Sequence, residues 1–161
     1  PILSLMNETY IESNIYGYAP LDECEMDALA KKYLPILDPR LIKGVMKDCQ
    51  VVAFIIGIPD MSAGIKQARG RLFPFGFIHI LKAKKKTRQL DLLLGAIKKE
   101  YRGMGLDALM GMAMISSAQK AGFEIIDTHH EMEANVKVRA EMERMGGVVY
   151  KVFRVYQKPL V

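Results

Sequence analysis

The residues whose types and spacing are most readable as chemistry are Tyr101-Arg102-Gly103-Met104-Gly105-Leu106-Asp107. An apolar run over residues 90–97 leads into them, and a helical pattern over residues 106–121 leaves them. A glycine-rich turn between a strand and a helix aims several unpaired backbone N–H groups at one point. It places the positive end of the helix dipole there as well. That combination is a seat for a phosphate, and Arg102 stands beside it. Asp107 falls in the first helical turn, where a carboxylate suits the dipole but repels a phosphate if it points inward.

A second group of reactive side chains follows. If residues 123–132 form a strand, alternation puts Asp127, His129, Glu131 and Glu133 on one face. Four polar residues on one face near the C-terminal end of a central strand mark a cleft, because ligands of open parallel sheets bind at those ends. Glu131 is the candidate general base and His129 the second, directly or through a water. The alternative is that the strand ends early and Glu131 and Glu133 are solvated loop residues. No metal site is expected: His129 and His130 point to opposite faces of a strand, and Cys24 and Cys49 have no paired histidines. The two cysteines read as free thiols.

Several elements must position these groups. Residues 3–11 have weak helical periodicity. A better helix starts at Leu21, with acidic residues in its first turn and Met26, Leu29, Ala30 and Tyr33 at helical spacing. Pro35 and Pro39 end it. Residues 41–46 and 51–58 read as strands joined by a turn at Lys47-Asp48-Cys49-Gln50. Ser62 is expected to cap a short helix running to Arg71. Residues 73–81 are apolar and aromatic without a clear period. Residues 90–97 form a buried strand, and residues 105–120 a helix with Leu106, Leu109, Met110, Ala113, Met114 and Ser117 on one stripe. After the strand at 123–132 come a helix over 135–145 and a last strand over 148–157. The strand–helix–strand segment implies parallel pairing, the hairpin antiparallel pairing, and the whole an α/β (α+β) mixed sheet flanked by helices.

The 161 residues suit one domain, 1–161, and no apolar run approaches a membrane span or a secretory leader. The net charge is +5, with Lys82, Lys84, Lys85, Lys86 and Arg88 close together. That run is either an anion-binding patch or a solvated loop before a strand. No aromatic residue interleaves with it, so base stacking has nothing to use.

Among glycine-rich turns, the dinucleotide fingerprint belongs after a first strand, and no ATP-binding loop sequence occurs. The stretch Ile97-Lys98-Lys99-Glu100-Tyr101-Arg102-Gly103-Met104-Gly105-Leu106 resembles the acetyl-CoA-binding motif of the GCN5-related N-acetyltransferases. Asn135 and Gly146 have the spacing of that family's asparagine and helix-ending glycine, and the resemblance covers about residues 20–157. It implies the acyl-CoA N-acyltransferase fold and acetyl-CoA as acyl donor. Backbone groups near Ala96 and Ile97 would hold the acyl carbonyl and pantetheine arm. The N–H groups of Gly103, Met104, Gly105 and Ala108, with Arg102, would hold the pyrophosphate, and Asn135 would contact the pantetheine side. The reaction implied is attack of an amine on the thioester.

Met142 stands where the family often has a proton-donating tyrosine, Asp107 where its motif has a small residue, and no strand is readable before the first helices. The alternative function is therefore an inactive or regulatory domain of the same fold, expected as the C-terminal part of a longer protein. A third, with an aminoacyl-tRNA donor, rests on the lysine run alone. The expected partners are a small-molecule or peptide amine acceptor and a second domain or a second copy. Neither a membrane nor nucleic acid is expected, and the expected location is cytoplasmic.

Overall fold

The computed structural model describes every residue except Tyr16, His129, Leu160 and Val161. The chain forms two compact units, residues 1–129 and 130–161.

The first unit opens with helix α1 (Ile2–Glu12), which buries Leu5, Met6 and Thr9. The front of the chain is thus helical, as its periodicity suggests. Helix α2 (Glu23–Tyr33) starts from a capping box: the Asp22 carboxylate accepts the Glu25 N–H at 2.8 Å, and the Glu25 carboxylate accepts the Asp22 N–H at 3.0 Å. The two reciprocal bonds satisfy two otherwise orphaned donors. Strands β1 (Ile42–Lys47) and β2 (Gln50–Pro59) form an antiparallel hairpin. Its turn holds Asp48 and Cys49 at φ +49° and +61°, the left-handed pair that matches strand twist.

Helix α3 (Ser62–Gln67) is shorter than expected. Ser62 does not cap it; the Asp60 carboxylate accepts the Ser62 N–H instead, at 2.8 Å. Residues 73–81 resolve into a loop and helix α4 (Gly76–Lys86). Lys84, Lys85 and Lys86 therefore end a helix, where cations suit the dipole, rather than lying in a loop. Gly64 lies directly against α4: a methyl group there would sit 2.6 Å from the His79 carbonyl oxygen. The two helices thus pack back to back at backbone distance.

Strand β3 (Gln89–Ile97) pairs antiparallel with β2 and, over Gln89 to Asp91 only, parallel with β4 (Ile125–Asp127). The sheet order is β1-β2-β3-β4. Helix α5 (Leu106–Lys120) crosses between β3 and β4. It buries Met110, Met114 and Ala118, whereas Leu109, expected on the same stripe, is exposed.

Two cores sandwich the sheet. Leu5 and Met6 of α1 pack on Phe54, Ile56 and Ala96 on one face. Met114 and Ala118 of α5 pack with Leu41 and Leu90 on the other. The register between β2 and β3 shifts because Ile56 faces Leu94 while Gly57 faces Leu92. Leu93 is the extra residue of a β-bulge. Leu90 and Leu92 consequently pack toward α5, whereas Leu94 and Ala96 pack toward α1. Strict alternation would put all four on one face.

In the second unit, helix α6 spans Val136–Arg144, and Gly146 leaves it at φ +87°. The strand expected over 148–157 does not form. A strand exists by pairing, and no described residue of this unit forms another strand for it to pair with. Its Val152, Val155 and Tyr156 are about 80% exposed or more.

Candidate functional site

Strand β3 gives the site its wall. Lys98 donates its N–H to the Val52 carbonyl at 2.9 Å, in register with the Phe54–Ala96 pair. Hydrogen-bonded pairs alternate along an antiparallel ladder. The backbone of Ala96 therefore faces β2, and those of Gly95 and Ile97 face the opposite edge. Strand β4 has stopped pairing at Asp91 by then. Side chains fill part of the open edge: the Tyr10 hydroxyl donates to the Gly95 carbonyl at 3.3 Å, and Arg102 Nε donates to the Ile97 carbonyl at 3.0 Å. These bonds take carbonyls and leave the Ile97 N–H facing outward. Of the two positions expected to hold an acyl arm, Ile97 offers its backbone to the edge, while Ala96 contributes a buried side chain.

The chain then makes a single 3-10 turn, Lys99–Tyr101, with the Lys47 ammonium 5.3 Å over the Tyr101 ring. Gly103 and Gly105 follow at φ +77° and +78°. A methyl group would meet nothing at either glycine. The requirement for glycine is thus conformational, since a Cβ disfavours the left-handed region. Helix α5 begins directly after. Among the described residues, no backbone acceptor takes the N–H of Gly103, Met104, Gly105 or Leu106. Four amides at the positive end of a fifteen-residue helix match an anion in both number and charge.

Two side chains modify that seat. The Asp107 carboxylate accepts the Ala108 N–H at 2.9 Å. It occupies one donor expected for the pyrophosphate and holds a negative charge at the helix start. Arg102 Nη2 reaches Glu12 and the Ser13 hydroxyl of α1's end, each at 3.3 Å, while Lys99 Nζ reaches Glu12 at 2.9 Å. Arg102 therefore braces the turn against α1, and its charge is shared with Glu12. Glu12, Ser13 and Tyr10 are site neighbours that sequence reasoning missed. They lie some 90 residues away in the chain, without a local motif.

The second unit holds another pair of expected site residues. Asn135 Nδ2 donates to Glu131 at 3.4 Å. Desolvation pushes the Glu131 carboxyl above its ordinary range, and the Asn135 bond draws it partly back. The Glu131 side chain keeps contact with solvent. His129 lies outside the described residues. The strand expected to carry this face ends at Asp127, so Glu131 and Glu133 are not strand residues. His130 stacks edge-on to Phe153 at 4.6 Å. Among the described residues, no group of three or more His, Cys, Asp or Glu side chains is placed to hold a metal ion.

No protein-family model matches the chain. It is 28% identical over 167 residues to a bacterial ceramide synthase of Caulobacter vibrioides, covering 99% of this chain and 42% of that protein. The chain thus spans about two-fifths of that relative's length. Its structure superposes on an aminoglycoside acetyltransferase from an uncultured soil metagenomic sample with TM-score 0.61 and 9% identity, covering 99% of this chain and 88% of the other. It also superposes on the acetyltransferase AAC(6')-Iy, solved with a bisubstrate analog of CoA, with TM-score 0.56 and 14% identity, covering 98% and 92%.

Proposed function

We propose that this chain, whose fold is that of the GCN5-related N-acetyltransferases, transfers an acyl group from a coenzyme A thioester to an amine. One observation carries the reading: the open edge of β3 runs straight into four amides at the start of α5 that no described backbone acceptor takes. In this reading Gly103, Met104, Gly105 and Leu106 hold the pyrophosphate, and the Ile97 N–H holds the amide-bearing arm of the donor. The donor supplies a thioester carbonyl carbon. The amine nitrogen attacks it, a C–N bond forms, the C–S bond breaks, and the departing thiolate takes up a proton. Glu131 is the candidate base for the amine proton, directly or through water. Its raised pKa makes it a stronger base than an ordinary carboxylate, and Asn135 orients it. Met142 cannot serve as the acid.

The likeness to a ceramide synthase bears on both substrates. A ceramide is an amide of a fatty acid with a long-chain amino alcohol. A long-chain amine is therefore the acceptor we favour, and a fatty acyl group is the rival to acetyl. A non-catalytic domain of the same fold is the second reading, favoured by Asp107 on the Ala108 amide. Calorimetry with acetyl-CoA and with a long-chain acyl-CoA, followed by thiol release on adding amines, tests both. Binding with amine-dependent thiol release supports transfer. Binding without release supports the second reading. Absence of binding by either thioester at millimolar concentration removes the first.

A further inference from the structure

Residues 61–90 contain eight of the chain's 23 lysines and arginines and none of its 18 acidic residues. The remainder carries 15 basic against 18 acidic residues. The whole positive excess of the protein is thus confined to the α3–α4 hairpin and the residues just after it. The same hairpin exposes a cluster of large apolar side chains. Phe73 is 82% exposed, Phe75 67%, Leu72 55%, Leu81 53% and Phe77 44%. Core packing does not account for them: α4 meets α3 through Gly64, Ile80 and Ala83, on its other side.

The arrangement is directional. Phe77, Leu81 and Lys85 follow each other at four-residue spacing along one row of α4. Leu72, Phe73 and Phe75 lie in the loop at the row's apolar end, and Lys85 and Lys86 lie at its basic end, followed by Arg88, which is paired with Glu124. Lys84 is tied to the Ile36 carbonyl at 2.9 Å, but Lys66, Arg69, Arg71, Lys82, Lys85 and Lys86 are all exposed. An apolar tip beside a cationic flank, on a hairpin that carries no acidic residue of its own, complements one kind of partner in both respects. That partner is a bilayer surface with anionic headgroups, which accepts aromatic rings at the headgroup boundary and lysines at the phosphates. RNA would meet the charge but leave the tip exposed, and a second copy of this hairpin would repel itself. No helix among the described residues is long and apolar enough to cross a membrane. The contact is therefore one of lying on the surface.

We propose that the α3–α4 hairpin docks the protein on anionic membranes, with Phe73 and Phe75 inserted and Lys82, Lys85 and Lys86 on the phosphates. This does not depend on the reading of the turn, and its test needs no thioester. The full chain is sedimented with vesicles of phosphatidylcholine alone or mixed with phosphatidylglycerol. Binding is expected only to the mixed vesicles. Lys82→Ala/Lys85→Ala should weaken it roughly 25-fold, at about fivefold per lysine. Phe73→Ser/Phe75→Ser should weaken it about tenfold or more. All four positions are exposed, and an unchanged circular dichroism melt shows that each variant still folds. Failure to bind the mixed vesicles overturns the proposal, as does full binding by the phenylalanine variant. Tighter binding to RNA than to vesicles, or a dimer in which the phenylalanines become protected, would assign the hairpin to another partner.

Discussion

Replacing Asp107 by Asn is the sharpest single perturbation of the proposed donor seat. The asparagine oxygen can still accept the Ala108 N–H, held at 2.9 Å in the native protein, while the negative charge is removed. A phosphate oxygen about 3 Å from a neighbouring amide would lie roughly 5 Å from that carboxylate. Gly103, Met104, Gly105 and Ala108 are all exposed, so a dielectric near that of water applies. Each phosphate charge is then opposed by roughly 0.8 kcal/mol. Two charges give roughly 1.7 kcal/mol, or about fifteenfold in Kd. Calorimetry with CoA at low salt should show Asp107→Asn binding about five- to fifteenfold more tightly. At molar salt the Debye length falls to about 3 Å and most of the gain should vanish. Stability should move the other way, because an acidic residue at a helix start contributes about 0.3–1 kcal/mol, or about 1–4 °C in Tm for a chain of this size. Equal or weaker CoA affinity in the variant would refute the placement of the phosphate at this turn.

Other expectations are independent of that one. Gly105→Ala forces a Cβ into φ +78° with open space around it. Strain of about 1–2 kcal/mol should lower Tm by about 2–8 °C, and an unchanged melt would contradict the left-handed turn. Phe54→Ala empties a position that is 0% exposed. It should cost about 3–5 kcal/mol by urea titration with an unchanged m-value. Glu131 has a raised pKa, so the native state holds its proton at pH values where the unfolded chain has lost it. Its contribution to stability is present below the ordinary glutamate pKa and is lost as pH rises through the raised native value. Glu131→Gln should therefore raise Tm at neutral pH. If Glu131 is the base, the same change should abolish the acid limb of the rate profile; a limb that persists would exclude it.

What the sequence made legible was what local chemistry determines. The turn could be read because left-handed backbone demands glycine at Gly103 and Gly105, and α2 because Asp22 and Glu25 close a cap within four residues. Contacts between distant segments left no such mark. The brace from Arg102 to Glu12 and Ser13 spans about 90 residues, and neither end looks unusual in its own neighbourhood. Alternation misled where pairing decides: residues 148–157 read as a strand but form none, and among the described residues of 123–132 Ile125–Asp127 joins the sheet. Residues 73–81 resisted assignment because an exposed apolar row obscures the face that packs on Gly64.

The extra residue in β3 bears on how activity and robustness trade against each other. Leu93 enters the strand two residues after β4 stops pairing with it, and a bulge bends the strand that carries it. Removing Leu93 would leave Leu92 on α5 and Leu94 on α1, so neither core would object. The straightened strand would lose the bend that the bulge imposes shortly before the outward Ile97 amide. Such a shortened protein is expected to melt higher and to bind the thioester less well. A single inserted leucine thus sets a bend beside the proposed donor site, and selection for durability alone would be expected to remove it.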